Sequence, residues 1–326
     1  MAAYIVANAL RARGRRSAKA LRVLAWGAVI AGVAAPVVRS KLRLPAPAVI
    51  GIGAMAPFGL SVATRRTPMR DVGVCVLQMW AYLAAYQMPN DDAEALERRV
   101  HIDYPVRIDR SIGLGELPNV RLQRAFGAPG RIQWREKFLI WPHWLWFAVP
   151  HSAVAYILTR HRERFPAAAL RMYAVFDLGA LVYWALPTAP PWYAAKEGRM
   201  GASSGQQLAV RRMMAEYGAE FWGDAWGPLY SYVGGNPLAA MPSLHFATSV
   251  MAAHLLSEVG RGPGLIGWSY AAVLGLALVY LGEHYVVDLL AGLALTEGVR
   301  WAAPHAAPAL GRISRGVQLL EERVRE

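Results

Sequence analysis

Cysteine is nearly absent, with only Cys75 in 326 residues. It sits inside an apolar run, so an intrachain disulfide is excluded and a thiolate metal site is not expected. Acidic residues are scarce as well, 22 against 35 Lys and Arg, which leaves a net charge of +13. Such a charge would suit nucleic acid, but the basic residues gather in short runs beside apolar segments, where they act as cytoplasmic anchors. Nucleic acid is therefore not expected as a partner. Tandem repeats and low-complexity tracts are also lacking, which sets aside solenoids and long disordered tails.

What the chain has in quantity is apolar surface. Hydrophobic residues make up 55% of it, 12 of them Trp, a composition that fits a membrane protein better than a soluble one. The fold class expected is all-α, a polytopic membrane helical bundle with a six-helix catalytic core and extra N-terminal spans, about eight in total. The expected spans are Leu21–Val38, Ala46–Ala63, Asp71–Met88, Phe138–Leu158, Met172–Leu186, Ser243–Leu256, Leu265–Leu281 and Tyr285–Ala303. Arg11, Arg13, Arg15, Arg16 and Lys19 precede the first, which is expected to remain as an uncleaved span. Arg65, Arg66 and Arg70, then Arg160, Arg162, Arg164 and Arg171, mark cytoplasmic loops. Eight crossings would put both termini inside and the loop Pro187–Ala240 outside. Trp141, Trp144 and Trp146 read as an interfacial belt, and Asp177 as an interior structural group.

Between the spans, Asp91–Val100 reads as an amphipathic surface helix. His101–Gly130 holds too many Gly and Pro for long elements and reads as a membrane-face segment or a solvated linker. Its part Asp109–Gln123 could instead cover the site. Leu208–Phe221 is expected to be an amphipathic helix, and Gly234-Gly235-Asn236-Pro237 a turn. The resulting divisions are 1–70 with the basic segment and two spans, 71–137 with the third span and surface segment, 138–303 as the catalytic membrane core, and 304–326 as a basic cytoplasmic tail.

Two polar clusters interrupt the apolar runs. His284 and Asp288 are four apart, which on a helix lets the carboxylate take the Nδ1 proton and leaves Nε2 as nucleophile or base. Met241-Pro242-Ser243-Leu244-His245 opens another run. There Pro242 suits a first turn and Ser243 can cap it, so Ser243 and Leu244 at the junction offer N–H groups to an anion, with His245 as proton donor. Two membrane crossings separate the clusters, so both histidines return to one side. Nucleophile, orienter, acid and anion cradle together suit phosphoryl transfer. His254 lies deeper and reads as a hydrogen-bonded structural residue.

These residues resemble a known family. Met241-Pro242-Ser243-Leu244-His245 and Val279-Tyr280-Leu281-Gly282-Glu283-His284-Tyr285-Val286-Val287-Asp288 resemble the second and third signatures of the type 2 phosphatidic acid phosphatase superfamily. The resemblance implies that His284 accepts the phosphoryl group, Asp288 supports it and His245 protonates the leaving group. It also exposes two departures. Ser243-Leu244 stands where Ser-Gly is usual, and Ala277-Leu278 stands where the family places Ser-Arg, so a phosphate-binding arginine is missing. Leu186-Pro187-Thr188-Ala189-Pro190-Pro191-Trp192-Tyr193 resembles a segment of fungal inositol phosphorylceramide synthases, which implies transfer of a phosphorylated headgroup between lipids.

Something must replace the missing arginine. Lys196, Arg199, Arg211 and Arg212 are available, with Lys196 and Arg199 the first choices because they lie nearest Pro-Pro-Trp-Tyr. Trp192 and Tyr193 are expected either to stack on a sugar or inositol ring or to anchor at the membrane interface. No metal and no cofactor is expected. The expected substrate is a membrane lipid phosphate or phosphodiester and the acceptor a lipid, a glycan or water, with the oligomeric state undetermined and the site on the extracytoplasmic face of a multi-pass cell-membrane protein. Water as acceptor gives a phosphatase. The readings of other classes are a proton-coupled transporter using Asp177 and the histidines, and a scaffold with a vestigial site.

Overall fold

The structure, a computed structural model, describes residues 2–203, 206–207, 209–233 and 236–325, with side-chain surroundings given outside 2–16, 202–208 and 230–235. It is all-α. In chain order the helices are α1 Ala2–Leu42, α2 Ala46–Ala63, α3 Pro68–Gln87, α4 Ala93–Arg99, α5 Asp103–Ile112, α6 Pro118–Phe126, α7 Trp134–Leu145, α8 Val149–Arg160, α9 Phe165–Ala185, α10 Pro191–Lys196, α11 Met213–Trp222, α12 Trp226–Val233, α13 Leu244–Val259, α14 Arg261–Tyr280 and α15 Val286–Arg325. Extended backbone is limited among the described residues to a two-residue pair, Ala202–Ser203 against Gln206–Gln207, and a few isolated bridges.

Local chemistry explains many helix starts. Thr67 caps α3 by accepting from the Arg70 N–H, with Pro68 in the first turn, and Asp92 caps α4 by accepting from Ala95. Glu136 reaches back to the Gln133 N–H and so closes the start of α7. Ser243 caps α13 by accepting from Phe246. Pro242, expected in the first helical turn, instead precedes the cap.

The chain divides into two compact units, Met1–Met88 with Ala302–Glu326, and Pro89–Trp301. In the first, α1 packs on α2 and α2 on α3, with Ala25, Val62 and Val324 buried together. The buried Glu321 carboxylate accepts from Arg66 at 2.8 Å and Arg70 at 3.1 Å. In the second unit α13 is central, packing against α14, α8 and α9, while α14 also meets α7 and α6.

The protein is a multi-pass helical membrane protein. Among the described residues, four helices are long and apolar enough to cross: Ser17–Leu42, Ala46–Ala63, Phe165–Ala185 and Arg261–Tyr280. Several expected spans differ from this. Phe138–Leu158 is not one helix, because α7 ends at Leu145 and α8 begins at Val149, with Pro150 in its first turn. Asp71–Met88 becomes α3, which carries Arg70 and Asp71 at its start. Ser243–Leu256 becomes the 16-residue α13, and Tyr285–Ala303 is the first part of the 40-residue α15.

The stretch His101–Gly130 forms two short helices, α5 and α6, in keeping with the expectation of no long element there. Thr188, from the Pro-rich segment, pairs on both sides. Its N–H donates to Leu238 and its carbonyl accepts from Ala240, while Ala189 donates to His101. The expected helix Leu208–Phe221 begins only at Met213. Leu208 and the Gly234-Gly235 part of the expected turn lie outside the described residues.

Gly282 turns the chain between α14 and α15 at φ +83, and a Cβ there would stand 2.5 Å from the Arg211 carbonyl oxygen. An alanine at 282 must enter a left-handed conformation that costs about 1–2 kcal/mol and push that carbonyl away. Gly282→Ala is expected to lower the melting temperature in detergent and activity together; an unchanged melting curve would refute this account of the turn.

Candidate active site

Two helix starts meet where the two polar clusters converge. The Ser243 N–H donates to the Asp288 carbonyl at 2.9 Å, joining the start of α13 to the first turn of α15. Gly292, one turn further along α15, permits this approach, since a Cβ there would lie 2.7 Å from the Ser243 carbonyl oxygen. On the other side Tyr183 of α9 donates to the Pro242 carbonyl at 2.7 Å.

His284 lies in the turn before α15 rather than on the helix. Its N–H and that of Glu283 both donate to the Leu278 carbonyl. Asp288 therefore does not meet His284 as a helical neighbour. It reaches back across the helix start, one carboxylate oxygen accepting from the Tyr285 N–H at 2.9 Å and lying 3.2 Å from His284 Nδ1. That contact fixes the Nδ1 proton and leaves the His284 Nε2 lone pair outward.

His245, one residue into α13, presents Nδ1 to His284 Nε2 at 3.3 Å. Its other nitrogen, Nε2, is 3.2 Å from Nε2 of His143 on α7. Three imidazoles and a carboxylate thus form a continuous row. Trp146 closes one face of it, with its ring centre 4.2 Å from that of His245 and its indole N–H donating to Thr248. Trp144 stacks on Tyr217, so of the expected interfacial belt Trp144 and Trp146 pack inward and only Trp141 is exposed. His143 escaped the sequence reading because it lies among aromatics in Trp141-Pro142-His143-Trp144; the available signal was an ionisable residue within an apolar run.

The surface segment builds the floor of this turn. Asn119 donates through Nδ2 to the carbonyls of Val279 at 2.7 Å and His284 at 2.9 Å. Gln123 donates to Tyr280 and Arg211 and accepts from the Arg211 N–H. Asp109 accepts from the Val287 N–H at 2.9 Å, while its second oxygen, buried, has no partner among the described residues. Burial pushes the Asp109 carboxyl up to about 6, against the Val287 N–H and with the nearby Asp288 charge. The solvated-linker reading of His101–Gly130 fails here because three of its side chains satisfy backbone groups beside His284.

Cations divide sharply. Arg212 holds the Glu283 carboxylate with Nε at 3.0 Å and Nη2 at 3.2 Å, and its guanidinium lies 4.0 Å above the Trp192 ring. Lys196 and Arg199 are both exposed. Lys196 stands 5.9 Å over the Tyr193 ring, and Arg199 pairs with Asp103 at 2.5 Å. Arg211 binds Glu216 and the Ala128 carbonyl. The cation next to the residue preceding His284 is therefore Arg212, not either first choice. At the α13 start, Ser243 gives its N–H to Asp288 and its hydroxyl to the cap, and Leu244 is buried against Gly179. By helix geometry this leaves the N–H groups of Leu244 and His245 for an anion. His254 bonds Glu297 at 2.8 Å and Arg300 at 3.2 Å, and Asp177 is half-buried.

The family model described as PAP2 superfamily matches residues 134–302. The chain is 28% identical over 161 residues to the inositol phosphorylceramide synthase catalytic subunit aur1 of Schizosaccharomyces pombe, covering 47% of this chain and 37% of that protein. It is 28% identical over 162 residues to the inositol phosphorylceramide synthase of Candida albicans, covering 47% of this chain and 33% of that one. The chain thus spans about a third of the length of these curated relatives. No solved structure matches it.

The Asp109 shift gives a sign for pH dependence. A carboxyl raised in the folded state binds more protons folded than unfolded between its ordinary value and about 6, so stability falls as pH rises across that window and is level above it. Asp109→Asn keeps an acceptor for Val287 and cannot ionise. Relative to this variant, wild type should lose on the order of 2 kcal/mol between pH 4 and pH 6, read as diverging melting temperatures; parallel curves would refute it.

Proposed function

The chain belongs to the PAP2 superfamily, and from that premise we propose that it is an integral-membrane phosphotransferase acting on a lipid phosphodiester through a phosphohistidine on His284. The observation that carries this reading is the His284 Nε2, freed by Asp288 at Nδ1 and set 3.3 Å from His245 Nδ1. In the first step Nε2 attacks phosphorus, the N–P bond forms and the bond to the leaving oxygen breaks. His245 delivers a proton to that oxygen. Asp288 meets the positive charge that appears on the His284 ring. In the second step His245 takes the proton of an acceptor hydroxyl, whose oxygen attacks phosphorus and releases the ring.

Arg212 is proposed as the replacement for the arginine that Ala277-Leu278 omits. It lies on the chain outside the signature and holds Glu283, the residue preceding His284. Trp192 supports its guanidinium from below, which leaves that indole a packing role beside the phosphate rather than a sugar platform. One cation, already shared with Glu283, suits a singly charged diester better than a doubly charged monoester. That preference, and the fungal relatives' printed names, favour transfer of an inositol-phosphate-type headgroup to a lipid or glycan acceptor. The donor enters laterally and the site faces the extracytoplasmic side, as the placement of the basic loops implies.

Purified protein given labelled phosphatidylinositol, and separately labelled phosphatidate, is expected to move label from phosphatidylinositol to an alcohol acceptor; label released only as free phosphate from phosphatidate would identify a phosphatase instead. His284→Ala and His245→Ala should each lower turnover at least about 10³-fold, and Asp288→Asn by orders of magnitude. Full activity in either histidine variant would remove that residue from the scheme. Arg212→Ala should raise KM for the diester by roughly tenfold or more, whereas Lys196→Ala and Arg199→Ala should leave it within about twofold.

A further inference from the structure

The row of imidazoles does not end at His245, and its hydrogen-bond directions can be worked out from the carboxylate end. Asp288 holds the proton of His284 on Nδ1, so His284 Nε2 is an acceptor and the facing His245 Nδ1 carries a hydrogen. Neutral His245 then has a bare Nε2, and His143 Nε2, 3.2 Å away, must be the donor to it. Every donor in the row points toward Asp288.

That order creates a difficulty for His245 acting alone. If neutral His245 gives its Nδ1 hydrogen to a leaving alkoxide, it is left as an imidazolate. The difficulty vanishes if a proton reaches Nε2 as the other departs from Nδ1, and among the described residues the group at that nitrogen is His143.

We propose that His143 is the proton carrier of this site, reloading His245 in the first step and taking the proton back in the second. This rests on the phosphohistidine reading given above. His143 begins as an imidazolium in the presence of the anionic substrate. Its Nε2 proton moves to His245 Nε2 while the His245 Nδ1 proton moves to the leaving oxygen, so His143 and His245 both end neutral. In the second step the acceptor hydroxyl proton enters at His245 Nδ1 and the Nε2 proton returns to His143. The carrier never touches the substrate; it acts through His245.

Two further features support this. His143 is buried, and its Nδ1 has no hydrogen-bond partner among the described residues. Unlike His284, whose tautomer Asp288 fixes, His143 has no partner at Nδ1 to fix its tautomer; burial holds its imidazole neutral in the free protein, so it takes up the proton together with the anionic substrate. The charged groups facing it are Glu283 and Arg212, with His284 beyond. They belong to the same turn and guanidinium that meet the phosphate, so the charge of the carrier and that of the substrate are felt together.

The test separates proton delivery from packing by changing the leaving group. His143→Gln keeps a side-chain N–H donor but cannot carry a proton. With phosphatidylinositol, whose alkoxide must be protonated to leave, His143→Gln is expected to lose roughly 10²-fold in kcat with little change in KM. With inositol p-nitrophenyl phosphate, whose phenolate leaves unprotonated, its first-turnover burst should match wild type within a few-fold, followed by slow steady-state release. Equal losses with both donors, or no loss with either, would overturn the proposal. Should His143→Gln fail to fold, addition of free imidazole to His143→Ala serves the same purpose. Recovery of phosphatidylinositol turnover supports the carrier and its absence in a folded variant overturns it. A wild-type protein that gives no burst and no labelled His284 with the aryl donor defeats the phosphohistidine reading itself, and the carrier falls with it.

Discussion

Asp288 is buried with no exposed surface and has three tasks at once. Its side chain receives the Tyr285 N–H and fixes His284 Nδ1, and its backbone carbonyl receives the Ser243 N–H. A buried carboxylate is stabilised by the donors that meet its oxygens. Here both donors fall on one oxygen, the other being buried without a partner among the described residues, and those donors are the groups whose positions define the site. The turn, the His284 ring and the start of α13 are therefore set by one residue, and the separation between His245 and His284 follows from the backbone bond between the starts of α13 and α15.

Around that residue the fold solves a second constraint. Between Tyr280 and Val286 the backbone leaves helical geometry, so carbonyls at the end of α14 and in the turn lose their ladder partners. Asn119 and Gln123 from α6 supply the missing donors to Val279, Tyr280 and His284, and Asp109 from α5 supplies an acceptor for the first amide turn of α15. Polar residues in a Gly- and Pro-containing stretch thus take the place of helix hydrogen bonds. The second oxygen of Asp109 and the Tyr285 hydroxyl have no partner among the described residues, so the floor of the site keeps buried polar capacity beyond what holds the turn.

The all-α class, most helix positions and the pair of polar clusters were legible in the sequence, because apolar runs and an interrupting His announce themselves. Ala46–Ala63 is read to the residue, and Ser243 as a cap follows from side-chain chemistry alone. Three things were not legible. The break between Leu145 and Val149 is invisible to hydropathy, since both halves are apolar. Asp109, Asn119 and Gln123 resemble any polar surface residues until the fold gives them particular carbonyls and amides. His143 required knowing which face of α7 meets α13. The position of Arg212 was not legible for a related reason: nearness along the chain to Pro-Pro-Trp-Tyr favours Lys196 and Arg199, whereas Arg212, about twenty residues on, lies over the Trp192 ring.

The charge count around the row bears on what the site can hold. Arg212 and Glu283 cancel as a pair, and Asp288 is matched by the His284 ring whenever that ring carries a phosphoryl group and a positive charge. A phosphodiester brings one negative charge, which a proton on the imidazole row balances. A phosphomonoester dianion would bring a second, with no further cation adjoining the row among the described residues. On the proposed reading, a phosphate-binding arginine placed outside the signature and tied to a carboxylate shifts the balance of the site away from dianions while His245 and His284 keep their places. If His143 carries the proposed proton, the substituted signature and the extra imidazole are two sides of one adjustment: less fixed positive charge for the phosphate, and a mobile proton that supplies it when a substrate is present.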